Sequence, residues 1–439
     1  MFSVKEERYV KNMSDFNNVS VSWTHVIIHK MDNPCCVNDF IRCMKMARNY
    51  CKKIGAEYIT VVCLCAREHI FPDACVPISA IIQEYPGIYD IDVKVVILNN
   101  SYLKFCEFEN PLNLPPEEIA SSRSILNKIF VYEADGDVSQ QAAAINQAFV
   151  DCISRTVECE DGVLKGLLWC IYEVMDNVLI HSHSKRGYVM AQYHKSRKRL
   201  AICVYDCGIG IYQSLLDGGL HPENEVEAIN LAIREGVGDG KGQGNGLYGL
   251  SQIVQANGGW FSISTGRSYL RFKDSEWDSG SSVQVLGDGH CGTIVDFQIE
   301  LTRKTDITKA LSTIGDFDDC DIRIENMMSD ALDTIIYKVI DNTKDFGTRQ
   351  SGRAIRNDIL NIMKRTKFPI VIDFDEIVIA SSSFMDEMIA KIVEKLGIEE
   401  FNKTISLINI NPELLHLCNR SIYMRMTENT ELTENTELN

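Results

Sequence analysis

Gly244-Asn245-Gly246-Leu247-Tyr248-Gly249-Leu250 opens a helix that the following pattern carries to about Ala256. Glycines at a helix start leave amide groups free of β-carbons, where hydrogen bonding and the helix dipole together hold phosphate oxygens. Gly244, Gly246 and Gly249 also match the spacing of dinucleotide-binding folds, so the stretch alone is ambiguous. Its context argues against that fold. A dinucleotide fold needs a strand just upstream, whereas residues 236–244 read Gly-Val-Gly-Asp-Gly-Lys-Gly-Gln-Gly. Such a run suits a lid that closes over a bound phosphate, with Lys241 as a candidate phosphate contact.

Three further stretches, in order along the chain, complete the pattern. Glu173 and Asn177 lie four apart on a strongly helical run, so both project from one face. The opposite face is supplied by Leu164, Leu167, Ile171, Val174 and Val178, among others. Left unpaired on a largely buried helix, a carboxylate and an amide cost about 1–3 kcal/mol each. A hydrated Mg²⁺ with a phosphate would satisfy both, and the carboxylate could orient or deprotonate an attacking group. A pair of solvent-facing polar residues is the plainer alternative. Asp206 ends the strand 199–205, where a carboxylate can accept a hydrogen bond from the exocyclic amine of adenine. Gly208 and Gly210 let the backbone turn beneath a flat base, although an ordinary Asp-x-Gly turn reads the same way. Gly292-Thr293 starts a strand, from which the threonine hydroxyl could reach the base. Together the four stretches describe a pocket for a nucleoside triphosphate and its magnesium ion.

In this order the four stretches resemble the GHKL ATPase superfamily, over roughly residues 160–301. That superfamily includes gyrase-type topoisomerases, heat-shock chaperones, sensor histidine kinases and mismatch-repair clamps. The resemblance implies a Bergerat-type α/β sandwich, with helices on a mixed, largely antiparallel sheet. By the family's roles, Asn177 would hold Mg²⁺, Asp206 would read adenine, and Gly244, Gly246, Leu247 and Gly249 would wrap the phosphates. Glu173 would act as general base and Thr293 would sit by the base. His181 and His183 follow the Glu173 helix itself, and no upstream helix carries a target histidine, which sets the chain apart from sensor histidine kinases.

Downstream, Val371-Ile-Asp-Phe-Asp-Glu-Ile-Val-Ile-Ala-Ser-Ser-Ser-Phe-Met-Asp-Glu387 resembles the strand, serine elbow and helix of STAS-like domains of the anti-anti-sigma type. The resemblance makes Ser382 the candidate phosphoacceptor. That pattern's aspartate and glycine are Ala380 and Ser383 here, and Ser381–Ser383 also read as a plain helix cap.

The flanks set the architecture. Residues 1–115 alternate strands (23–29, 58–65, 93–98) with helices (37–54, 78–84), and a proline-rich boundary follows at 111–116. Helices are expected at 142–152, 162–181 and 226–234, and strands at 188–193, 199–205, 260–265, 281–286 and 292–301. The chain therefore reads as an α/β multidomain protein: an amino-terminal α/β unit (1–115), an ATP-binding unit (138–304), a STAS-like unit (305–425), and an acidic tail (426–439) expected to be disordered.

Composition narrows the function further. With 44 basic against 61 acidic residues the net charge is −17, which disfavours binding to duplex nucleic acid or to an anionic membrane. No signal-peptide core and no long apolar run occurs, so a cytoplasmic protein with reduced cysteines is expected. Three functions fit. One is an ATP-dependent regulatory switch reset by Glu173-assisted hydrolysis, partnered by another protein through the amino-terminal or STAS-like unit. The others are a protein-serine kinase acting on a STAS-like domain, and a non-catalytic ATP-binding scaffold. Family analogy adds a homodimer. The intact Glu173 and the fused STAS-like unit favour the switch.

Overall fold

The computed structural model describes residues 14–15, 18–66, 70–122, 124–133, 139–240, 244–281, 292–314, 321–329 and 333–436. The chain is α/β, with mixed and antiparallel sheets covered by helices. It divides into two compact units, the first of residues 1–149, 166–301 and 305–315, the second of 150–165, 302–304 and 316–439.

Two sheets belong to the first unit. The smaller holds β1 (Ser14–Asp15), β2 (Val19–Ser22), β3 (His25–Ile28), β4 (Tyr58–Cys63) and β5 (Asp92–Ile97) in sequence order. The pairs β3–β4 and β4–β5 are parallel, and the other two antiparallel. The strand expected at 23–29 is β3, shortened by a turn at Trp23 (φ 58°) that pairs it with β2. The helix expected at 78–84 runs from Pro72 to Tyr89 with Pro77 and Pro86 inside it. A proline in a helix costs about 3 kcal/mol. Burial of Val76, Ile78, Ile81, Ile82 and Tyr85, each contributing about 1.5–3 kcal/mol, outweighs it.

The larger sheet holds β6 (Ile129–Glu133), β7 (Arg186–His194), β8 (Arg199–Asp206), β9 (Trp260–Thr265), β10 (Ser268–Lys273), β11 (Glu276–Ser281) and β12 (Thr293–Glu300). Their order is β11-β10-β9-β12-β8-β7-β6, antiparallel at every step. Alternation gives the sheet two different faces. Tyr188, Met190, Cys203, Tyr205 and Ile294 join the core of the smaller sheet and the helices Cys35–Ile54 and Pro72–Tyr89. The described part of 1–115, a span expected to stand as a unit of its own, shares one core with the larger sheet from Val19 to Phe108. The opposite face packs on helices: Phe130 meets Phe149 of the Gln140–Thr156 helix edge-to-face, and the Tyr132 hydroxyl donates to Met175 O of the Val163–His181 helix. Asp206 lies on this helical face, in alternation with Val204 and Ile202.

β6 lies in the stretch left unassigned between 115 and 138. The hairpin β10–β11 turns at Asp274 and Ser275, both with positive φ, in the manner of a primed hairpin turn. The strand expected at 281–286 falls outside the described residues except for Ser281, which ends β11. The glycine-studded stretch after Gly208 also holds a helix, Gly210–Asp217.

The second unit carries β13 (Met328–Ser329), β14 (Thr334–Lys338), β15 (Ile370–Asp373) and β16 (Ile405–Ile408) in sequence order, with β14, β15 and β16 parallel. The Arg349–Arg365 helix makes the β14–β15 crossover, its start capped by Thr348. Between β15 and β16 the chain is helical over 382–396, with a π-helical turn at Asp386–Ala390. The Pro412–Thr436 helix extends over residues 426–436 of the acidic tail expected to be disordered. Extending a packed helix needs no new nucleus, and the repeated Thr-Glu-Asn-Thr-Glu-Leu contains no proline or glycine to stop it. Among the described residues the cysteines are free, and burial pushes the Cys36 and Cys43 thiols up to about 12.

Candidate functional site

Glu173 and Asn177 sit one turn apart on the Val163–His181 helix, and Gly246 opens the Gly246–Asn257 helix. These distant parts of the sequence meet. A β-carbon at position 246 would lie 2.6 Å from Glu173 Oε2 and 3.3 Å from Asn177 Nδ2, so any side chain there would displace the Glu173 carboxylate. Asn177 Nδ2 is buried without a hydrogen-bond partner. Such an orphan costs about 1–3 kcal/mol and invites a ligand. Which amide atom is oxygen is an assignment that a bound group would settle. Burial, and next the charge of Asp176 on the same helix, raise Glu173 from 4.5 to about 7.

A second cluster forms across the strand ends. Asp206 is 3% exposed and opposes Thr293 in the β8–β12 ladder, while Thr293 also opposes Thr265 in β9. Burial lifts the Asp206 carboxyl to about 7, against hydrogen bonds from the Gly208 amide (2.7 Å) and from the Thr293 amide and hydroxyl. Thr265 Oγ1 lies 3.4 Å from Thr293 Oγ1 and accepts from the Ile211 amide at 3.2 Å. A rung of three oxygen-bearing side chains results, on the same sheet face as the Glu173 helix.

That helix connects the two clusters. Beyond its last turn, Ser182 O accepts from the Ile209 amide at 2.9 Å, fixing the Asp206–Gly210 turn. Gly208 lies in this turn, and Gly210 starts the helix that follows it. Leu247 is half-buried and Gly249 buried in the first turn of the Gly246–Asn257 helix, where the Gly249 amide donates to Asn245 O. Gly244 leads into that turn. Lys241 lies outside the described residues. Ser382 belongs to the second unit, where it is exposed, and Ser381 is the cap: its hydroxyl accepts from the Phe384 amide at 3.0 Å.

Thr265, Ser182 and Asp239 were not among the residues singled out in the sequence. Strand register and the docking of a loop bring them in, and neither leaves a local spacing signal. Among the described residues no group of three or more His, Cys, Asp or Glu side chains could hold a metal ion. Nor is any described helix long and apolar enough to cross a membrane.

Comparison with known proteins bears mainly on the second unit. Residues 351–415 match a protein-family model described as a STAS-like domain of unknown function (DUF4325). That span contains β15, the serine elbow and β16, so the carboxyl-terminal part of the chain carries a STAS-like domain. Among solved structures, a mycobacterial sensor histidine kinase, MprB, is similar at a TM-score of 0.23 and 17% identity, over 37% of this chain and 94% of its own. Full-length ShkA in complex with AMPPNP is similar at 0.21 and 11% identity, over 70% of this chain and 60% of its own. No curated protein matches.

Proposed function

We propose that the first unit binds Mg-ATP in a pocket of the GHKL type and that the chain acts as an ATP-dependent regulatory switch. One observation carries this reading: Gly246 is pressed against Glu173 and Asn177, and the buried Asn177 amide has an atom without a partner. The donor set fits magnesium, since amide and carboxylate oxygens are hard ligands and the ion keeps waters and phosphate oxygens for its remaining positions. Asn177 is its ligand, and the bound ion would supply neutralisation of phosphate charge. Asp206, braced by Gly208 and Thr293, accepts from the adenine amine. The amides of residues 244–248 hold phosphate oxygens, with Gly249 in the turn behind them and Gly210, Leu247 and Lys241 around the nucleotide. Glu173, half-protonated near pH 7, is poised to take a proton from an attacking water.

The output passes through protein contacts of the STAS-like domain or of the amino-terminal α/β part, in the cytoplasm, and family analogy makes the working form a homodimer. A second reading, a serine kinase acting on a STAS-like domain, is favoured by one observation: Ser382 is exposed and leaves the capping to Ser381. Incubation with γ-labelled ATP and Mg²⁺ separates the readings. Free phosphate, lost in Glu173→Ala, supports the switch. Protein label, lost in Ser382→Ala, supports the kinase. ATP that binds and stays intact, in the presence of neither signal, supports a scaffold.

A further inference from the structure

Asp239 lies in the glycine run ahead of the Gly246–Asn257 helix, yet its side chain is 2% exposed. Its Oδ2 is 2.8 Å from His181 Nδ1 and accepts from the Ser214 hydroxyl at 3.1 Å. His181 is the last residue of the helix that carries Glu173 and Asn177. Ser214 lies on the Gly210–Asp217 helix, directly after the Asp206–Gly210 turn. One carboxylate thus fastens the glycine run to both elements that bear the other pocket residues. The fastening is tight: a β-carbon at Gly218 would overlap the Asp239 backbone. The run is also closed at its base, where the Gly236 amide donates to Asn245 Oδ1 at 2.8 Å.

A glycine run has more conformational freedom to lose than any other sequence. Burying an ionisable group within it is costly without partners. Here the partners come from two separate helices.

We propose that Asp239 is a positioning residue, anchoring residues 236–240 on His181 and Ser214 and so, through the Gly236–Asn245 hydrogen bond, holding the start of the Gly246–Asn257 helix where terminal phosphates bind. The consequence for nucleotide rests on the ATP-site reading; the anchor itself does not. The inference adds a specific role to that reading: Asp239 affects the outer phosphates and leaves the base to Asp206.

The test uses the full chain with Asp239→Ala and, as the gentler change, Asp239→Asn, which keeps an acceptor for Ser214. Calorimetric titration with Mg-ATP and Mg-ADP is paired with hydrogen exchange of the amides of residues 236–240 in the nucleotide-free chain. Asp239→Ala should lose about 10- to 100-fold in ATP affinity, the worth of one or two hydrogen bonds to a charged group. ADP affinity should change by about twofold or less, so the ATP-to-ADP ratio falls, and Asp239→Asn should recover part of it. Exchange over 236–240 should be faster in Asp239→Ala, and exchange at the wild-type rate would overturn the anchor. Equal losses for ATP and ADP would overturn its role at the outer phosphates. A wild-type chain that binds neither nucleotide, while exchange is still faster in Asp239→Ala, keeps the anchor and sinks the ATP site instead.

Discussion

Replacing Glu173 with Gln removes a carboxyl that its helix half-buries beside Asp176. Burial and then the Asp176 charge raise this group from 4.5 to about 7. Between those values the folded chain keeps a proton that the unfolded chain has released. Folding stability therefore falls as pH rises from about 4.5 through 7, and below 4.5 the group contributes nothing because both states are protonated. At about 1.4 kcal/mol per tenfold change in proton affinity, the wild-type penalty above pH 7 is at most about 3 kcal/mol. Water reaching the half-buried group brings that down, to about 2 kcal/mol. Urea denaturation of the nucleotide-free chain, followed by fluorescence of Trp169 on the same helix, reads the difference. Glu173→Gln should be the more stable protein at pH 8, by about 2 kcal/mol, and the advantage should shrink towards zero near pH 4.5. Equal stability of the two proteins at pH 8 would refute the argument that the apo pocket stores this strain. The same carboxyl then cannot be poised as a base at neutral pH.

Gly246→Ala brings a methyl group to 2.6 Å from Glu173 Oε2. It should weaken Mg-ATP binding by tenfold or more, on the order of one lost charged hydrogen bond, with an unchanged far-ultraviolet circular dichroism spectrum. Asp206→Asn gives the base an amide in place of a carboxylate, and the preference for ATP over GTP should fall by about tenfold in competition binding. In the second unit, Asp358 is fully buried and accepts from Arg323 at 2.5 and 2.9 Å, from the Tyr337 hydroxyl at 2.9 Å and from Ser154 at 2.7 Å. Burial raises the Asp358 carboxyl, but Arg323 outweighs it and holds the group below 3.8. Asp358→Ala leaves the buried Arg323 with Asp151, at 3.4 Å, as its remaining carboxylate, which should cost about 3 kcal/mol in urea unfolding of that unit. The wild-type contribution should be lost only as pH falls below 3.8.

Local spacing made the candidate site legible. Glu173 with Asn177, Asp206 with Gly208, and Gly244 with Gly246 each lie within one turn of helix or chain, and a pattern of that length survives in sequence. What brings them together does not. The rung of Asp206, Thr293 and Thr265 depends on the register of three strands, and Thr265 carries no signal of its own. Asp239 looks like one more polar residue in a flexible run until His181 and Ser214 are seen around it. The fold was hidden where burial was one-sided or overridden. β11, Glu276–Ser281, is largely exposed and polar, so it shows no alternation. The Pro72–Tyr89 helix contains two prolines that only its buried face holds in place. Composition alone carries no sign of the Pro412–Thr436 helix that reaches into the tail.

Binding of Mg-ATP by the full chain and by Asn177→Ala is the most direct test of the ATP site. The account predicts Mg²⁺-dependent binding by the wild type, and loss of that binding in Asn177→Ala at unchanged melting temperature. Undiminished Mg²⁺-dependent binding by Asn177→Ala would contradict the assignment of the pocket, and no binding by the wild type would contradict the function.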